Sequence, residues 1–253
     1  MSSDATQLER PPPDDLGLED TAPDDVGPDA LSLDDTLPDV VVPALAAGTF
    51  TASFRAAIAG VMRCVASQRN MKIHVLSALM VMIVGMALPL DLSTRVALLF
   101  AVAIVFFAEI LNTGLEAIVD LFMGEYHRLA MLAKDAAAGG VLVLAVATVL
   151  IFGETLWTRW DLVTSNLDAV WRSVGFGVPL VGVEALGLFV VRRGPLSWVR
   201  FVVALLLVTP LVYHSRDPIY ACVAVGLVGI AFYARHSFPS RTGRGAPRRG
   251  VRA

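Results

Sequence analysis

Six apolar stretches, each long enough to cross a bilayer, constrain this chain more than any other feature. They run roughly over residues 73–90, 94–123, 136–156, 174–191, 196–213 and 218–234. About 20 apolar residues in helical conformation span the ~30 Å hydrocarbon core, inside which every backbone polar group must find its partner within the protein. With 56% hydrophobic and 17% charged residues and a mean hydropathy of +0.67, the chain is excluded from the ordinary soluble classes. The expected fold class is an all-α integral membrane protein, and no nucleic-acid partner is expected.

The charges are segregated along the chain. Of 23 acidic residues, 12 lie in residues 1–48, where Arg10 is the only basic one. That segment repeats Asp-Asp and Pro and has no aromatic residue, so it has too little to bury and is expected to be a disordered acidic tail. It has neither the basic start nor the apolar run of a signal peptide. With a cytoplasmic N-terminus, the inner flanks of the spans hold fifteen Lys/Arg, among them Arg55, Arg63, Lys72, Lys134, Arg192, Arg193 and Arg200, against four in the outer loops, Arg95, Arg159, Arg172 and Arg216. By the positive-inside rule both termini are expected in the cytoplasm. Trp157, Trp160, Trp171, Tyr213 and Tyr220 are then expected at the outer boundary. Ahead of the first span, Phe54, Ile58, Val61, Met62 and Val65 recur at helical spacing, which predicts an amphipathic helix on the cytoplasmic surface or packed on a partner. Cys64 and Cys222 fall on opposite sides in this topology and are expected not to pair.

The second span carries the chemistry. After Val96 to Ala108, without a polar side chain, come Glu109, Asn112, Thr113, Glu116 and Asp120, which at ~100° per residue share about 100° of one helix face. Carboxylates at membrane depth are expensive unless they meet a cation, water or protein interior. With a rise of ~1.5 Å per residue from Thr94, Glu109 lies about 22 Å inward and Asp120 about 39 Å, against a core of ~30 Å. The stripe thus starts in the cytoplasmic leaflet and ends in the cytosol, where a lipid headgroup can meet a soluble anionic nucleotide. One carboxylate can take a hydroxyl proton while others hold Mg²⁺. A structural polar seam or an ion pathway is the alternative reading of the spacing. Beyond the stripe, Lys134-Asp135 opens a small-residue run, Ala136 to Gly140, of the kind that lets membrane helices approach closely.

Ser53-Phe54 with Ala57 and Gly60, Ser67-Gln68-Arg69-Asn70 with His74, Ala108-Glu109-Ile110-Leu111-Asn112-Thr113 with Glu116, Val119 and Asp120, Glu125-Tyr126-His127 and Ala133-Lys134-Asp135 together resemble the prokaryotic diacylglycerol/undecaprenol kinase family. The resemblance covers residues 53–153. It implies a lipid kinase, a phosphotransferase with an alcohol acceptor that moves the γ-phosphate of ATP to a diacylglycerol or undecaprenol hydroxyl at the cytoplasmic face. It also implies Glu109 as catalytic base, Glu116 and Gln68 as Mg²⁺ ligands, and Asn112, Asp120, Glu125, Tyr126, His127, Lys134 and Asp135 around the nucleotide. A surface helix plus three membrane helices, a homotrimer and a bacterial inner (cytoplasmic) membrane location follow from the same resemblance. Gln68 stands where the family usually has a glutamate. An amide oxygen coordinates Mg²⁺ without charge, so a catalytically weakened or inactive member acting as a membrane structural or interaction protein is the alternative.

The expected organisation is an acidic tail at 1–48, a kinase-like domain at 49–156, a three-span region of unassigned function at 157–235 and a basic tail at 236–253 that touches anionic lipid. Within the three spans, Glu184 is the only intramembrane acid and Arg192 its nearest basic residue in sequence. It is a candidate for function or for a satisfied structural role.

Overall fold

The computed structural model describes residues 49–122, 127–190 and 194–237. The acidic tail, Glu125, Tyr126, Arg192, Arg193 and the tail beyond Ser237 lie outside the described residues. Eight helices follow one another: α1 (Phe50–Ser67), α2 (Arg69–Ala87), α3 (Leu92–Phe122), α4 (Arg128–Thr158), α5 (Trp160–Ser165), α6 (Leu167–Phe189), α7 (Pro195–Tyr213) and α8 (Pro218–Ser237). Six of them, α2, α3, α4, α6, α7 and α8, are long and apolar enough to cross a membrane. The protein is an all-α integral membrane protein, as the six apolar stretches require.

The breaks between helices have local causes. Thr49 caps α1, its side chain accepting from the Ala52 N–H. Gln68 ends α1 and precedes α2 in an extended conformation, with φ −85° and ψ 129°, so the chain turns sharply at that one residue. Leu88, also extended, stands before Pro89, which disfavours helical conformation in its predecessor. Asp91 then receives the Thr94 N–H at 3.3 Å and the Thr94 hydroxyl at 2.8 Å at the start of α3. These hydrogen bonds, with that from Ser93, hold the Asp91 carboxyl well below the usual carboxylate range. Gly194 adopts φ 145° directly before Pro195, the first residue of α7, a conformation that L side chains rarely take.

Packing centres on α2. Of its apolar window 61% is buried, against 6% for α4. α2 packs against α3, α6 and α8. A single apolar core therefore runs through α1, α2, α3, α6, α7 and α8, with Met71, Leu79, Met82, Leu180, Tyr220 and Val228 among its most buried members. At Gly85 a Cβ would stand 2.6 Å from the Tyr220 ring, so glycine is what lets α8 close on α2. Tyr220 is thus fully buried and turned inward, whereas Trp157, Trp160, Trp171 and Tyr213 are all exposed at the surface. In the small-residue run, a Cβ added at Gly139 or Gly140 would meet no atom of this chain within 4 Å, although α4 packs chiefly on α3.

Polar ties hold the two halves together. Arg95 of α3 pairs with Asp217 before α8, and the Arg216 N–H donates to the Met86 carbonyl at 3.2 Å. Burial pushes the Asp217 carboxyl up, but the Arg95 hydrogen bond and the Ile219 and Tyr220 N–H groups outweigh it and hold it low. Deep between α6 and α7, Glu184 accepts from Arg200 at 2.8 Å, with both side chains almost wholly buried. The partner of Glu184 is therefore Arg200, sixteen residues away on the next helix, and not a residue near it in sequence. Gly187 makes room for the guanidinium, which a Cβ there would strike.

Removing one member of a buried pair strands the other. Arg200→Met is expected to lower stability by roughly 3 kcal/mol, with most of the loss recovered when Glu184→Leu is added. Thermal unfolding of the purified protein in detergent checks this. Equal destabilisation by the single and double variants would contradict it.

Candidate active site on the polar face of α3

The polar stripe faces the α1–α2 junction. Glu109 and Asn112 are buried on α3, while Glu116, one turn further, is half-buried. The Asn112 amide donates from Nδ2 to Glu116 Oε1 at 3.0 Å, a contact that spacing of four residues favours on a helix. From the other side Gln68 donates through Nε2 to Glu116 Oε2 at 3.4 Å. Gln68 reaches the stripe because the chain turns at that residue, between two helices that both contact α3. The Glu116 carboxylate is thus held by two amides, neither of which brings a positive charge.

Two buried oxygens beside it, Glu109 Oε2 and Asn112 Oδ1, have no hydrogen-bond partner. An ionised carboxylate oxygen left so in an apolar helix is costly, and such an arrangement suits an incoming proton or hard cation. No group of three His, Cys, Asp or Glu able to hold a metal is gathered among the described residues. Mg²⁺ usually takes one or two protein carboxylates and completes its shell with phosphate and water. The donor set of Glu116, Gln68 and nearby amide oxygen fits such an ion.

Cys64 completes the wall, and sequence reading gave it no part there. Its Sγ lies 3.2 Å from Thr113 Oγ1, and Thr113 in turn donates to the Glu109 carbonyl at 2.9 Å. Burial pushes the thiol up; the Thr113 hydrogen bond opposes this, and the charges of Glu109 and Glu116 add to it. Cys64 thus packs into this wall as a buried side chain. The signal that could have found it is its place one helical turn before Gln68, whose N–H donates to the Cys64 carbonyl at 2.9 Å.

At the far end of the stripe Asp120 pairs with Lys134 of α4, the side chains being 69% and 29% exposed. His127 precedes α4 and Asp135 lies within it, both exposed. No hydrogen bond or ion pair links either to the stripe among the described residues. The structure thus brings together Gln68, Glu109, Asn112 and Glu116, adds Asp120 with Lys134, and leaves His127 and Asp135 at the rim. Glu125 and Tyr126 lie outside the described residues.

Comparison with known proteins picks out the same part of the chain. The profile of the family described as prokaryotic diacylglycerol kinase matches residues 55–156. A diacylglycerol kinase of Synechocystis sp. is 43% identical over 102 residues, 40% of this chain and 58% of the relative. An undecaprenol kinase of Bacillus subtilis is 36% identical over 102 residues, covering 40% of this chain and 83% of the relative. A diacylglycerol kinase of Escherichia coli K12 is 34% identical over 84 residues, 33% of this chain and 69% of the relative. The chain therefore spans little more than half the length of the first of these. No solved structure gives a significant match.

Because the Asp120–Lys134 pair is exposed, it should add little to folding. Lys134→Met is expected to change unfolding stability by less than about 1 kcal/mol. A larger loss in thermal unfolding would show that the pair is a structural tie, whereas a functional loss without one would assign Lys134 to ligand contact.

Proposed function

We propose, from the premise that this chain belongs to the prokaryotic diacylglycerol kinase family, that it transfers the γ-phosphate of ATP to the hydroxyl of a membrane lipid at the cytoplasmic face. The observation that carries the reading is the pairing of two features within the matched segment. One is the buried, unpartnered Glu109 carboxylate oxygen; the other is the amide-held Glu116 carboxylate two turns along the same helix. Seven residues at ~1.5 Å each separate the two groups by about 10 Å along the axis, which leaves room between them for a hydroxyl and a phosphoryl group.

In this mechanism Glu109 receives the proton of the lipid hydroxyl as its oxygen attacks the γ-phosphorus and ADP leaves. Mg²⁺, when bound, neutralises phosphate charge, and Glu116 with Gln68 would hold it. Asn112 orients Glu116 through the Nδ2 hydrogen bond. Asp120, His127, Lys134 and Asp135 line the nucleotide side, to which the family resemblance also assigns Glu125 and Tyr126, and Lys134 supplies a point charge for phosphate. Cytoplasmic termini, a homotrimer with composite sites and an inner-membrane location belong to the same proposal. So does the division into a kinase-like domain at 49–156 and a three-span region at 157–235.

One observation favours a second reading, that of a weakened kinase: Gln68 faces Glu116 with its N–H and brings no charge where the family usually has a carboxylate. The test of both is phosphate transfer from labelled ATP with Mg²⁺ to diacylglycerol and to undecaprenol in mixed micelles. Transfer is expected in the native protein and to fall by at least about 100-fold in Glu109→Gln, the loss typical of a general base. Undiminished transfer in Glu109→Gln removes the assigned base, and no transfer by the native protein overturns the kinase reading. A modest change in Gln68→Glu supports a working kinase as it stands; a large gain from near zero supports the weakened one.

A further inference from the structure

Lys72 is a buried cation without a counter-charge. A lysine near the end of a membrane helix ordinarily snorkels to water. Lys72, in the first turn of α2, is instead only 8% exposed and turns toward α6, its Nζ 5.9 Å from the centroid of the Phe189 ring. Among the described residues no hydrogen bond or ion pair reaches it. A ring face offsets only a small part of the cost of burying an unpaired ammonium. Arg235, in the last turn of α8, acts on Lys72 with a charge of the same sign. The helices that meet here supply no carboxylate to answer Lys72. Residues 49–90, which include α1 and α2, have no Asp or Glu, and residues 185–253, which include α7 and α8, have only Asp217. Asp217 is paired with Arg95 before the other end of α8, and Glu184 of α6 is held by Arg200 at 2.8 Å.

We propose that Lys72 and Arg235 form a site for the phosphate of an anionic phospholipid, whose headgroup lies between the ends of α2, α6 and α8. Two cations side by side call for an anion with several acceptor oxygens, as a phosphate has. Phe189 beside Lys72 is 45% exposed, so the site opens on the surface of the bundle. Trp198, which packs on Phe232 and His236 at the same end, is 53% exposed and marks the depth at which indoles meet lipid headgroups. Basic clefts between membrane helices at that depth take anionic headgroups. The site is not that of the phosphate acceptor, because an acceptor alcohol carries no charge and Lys72 faces α6. Phe189 and Arg235 lie beyond residue 156, where the family match ends, so the matched segment alone holds one of the three parts. A bound phosphate ties α2, four residues after Gln68, to the helices that brace it.

The test is thermal unfolding of the full-length protein in a neutral detergent, alone and with phosphatidylglycerol, phosphatidylcholine or inorganic phosphate. Phosphatidylglycerol is expected to raise the Tm by roughly 5 °C at saturation, with the zwitterionic lipid and the free anion well behind. Lys72→Met is expected to unfold no earlier than the native protein in detergent alone, because it removes an unpaired buried charge, and to lose the phosphatidylglycerol shift. Lys72→Arg should keep the shift, and Arg235→Gln should reduce it. Equal shifts with both lipids overturn the site, since they report apolar contact alone. An equal shift with inorganic phosphate overturns the lipid and leaves a free-anion site. A full shift in both Lys72→Met and Arg235→Gln overturns the assigned cations. Early unfolding of Lys72→Met in detergent alone also overturns the proposal, because it makes Lys72 a structural tie. None of these readouts depends on phosphoryl transfer, so the site and the kinase reading stand or fall separately.

Discussion

Carboxylates on one face of a membrane helix can persist only if the rest of the protein satisfies them. Glu109, Asn112 and Glu116 would be untenable against lipid, and in this protein they turn toward the junction of α1 and α2. The amide of Gln68 reaches Glu116 only because the chain stops being helical at that residue. That turn is held in place by the packing of α2, which is largely buried and contacts α6 and α8 as well as α3. The polar face of α3 thus depends in part on contacts that α6 and α8 make with α2.

This dependence gives the last three membrane helices a physical role before any chemical one. They are not hung on the end of the kinase-like segment, since one apolar core includes residues of α2 and of α6, α7 and α8. The Arg95–Asp217 pair and the Glu184–Arg200 pair lock that core at separate places. α4, by contrast, has few fully buried residues within one chain, and a Cβ at Gly139 or Gly140 would meet no atom of it.

Features with a helical period were legible in the sequence. The six spans, the helix ahead of them and the shared face of Glu109, Asn112, Glu116 and Asp120 all follow from spacing within a single helix, and the structure has them. Contacts between helices were not legible, because periodicity says which way a side chain points and not what it meets. Arg200 was readable as a flanking charge but not as the partner of Glu184. Tyr220 had the residue type of a boundary anchor, yet Gly85 opens a slot for it in the core. Cys64 looked like an isolated thiol until α1 was laid against Thr113. Gln68 stood out as an amide in a carboxylate's place, but its position at the turn between two helices came only from the structure.

The central claim is that Gln68 and Glu116 act as one site although 48 residues apart. A double-mutant cycle of Gln68→Ala and Glu116→Gln, read as kcat/KM for phosphoryl transfer at limiting Mg²⁺, tests it most directly. The account predicts that the two losses are not additive and differ from their sum by roughly 0.5 kcal/mol or more. Losses that simply add would mean that the two residues work apart, and would contradict the site described.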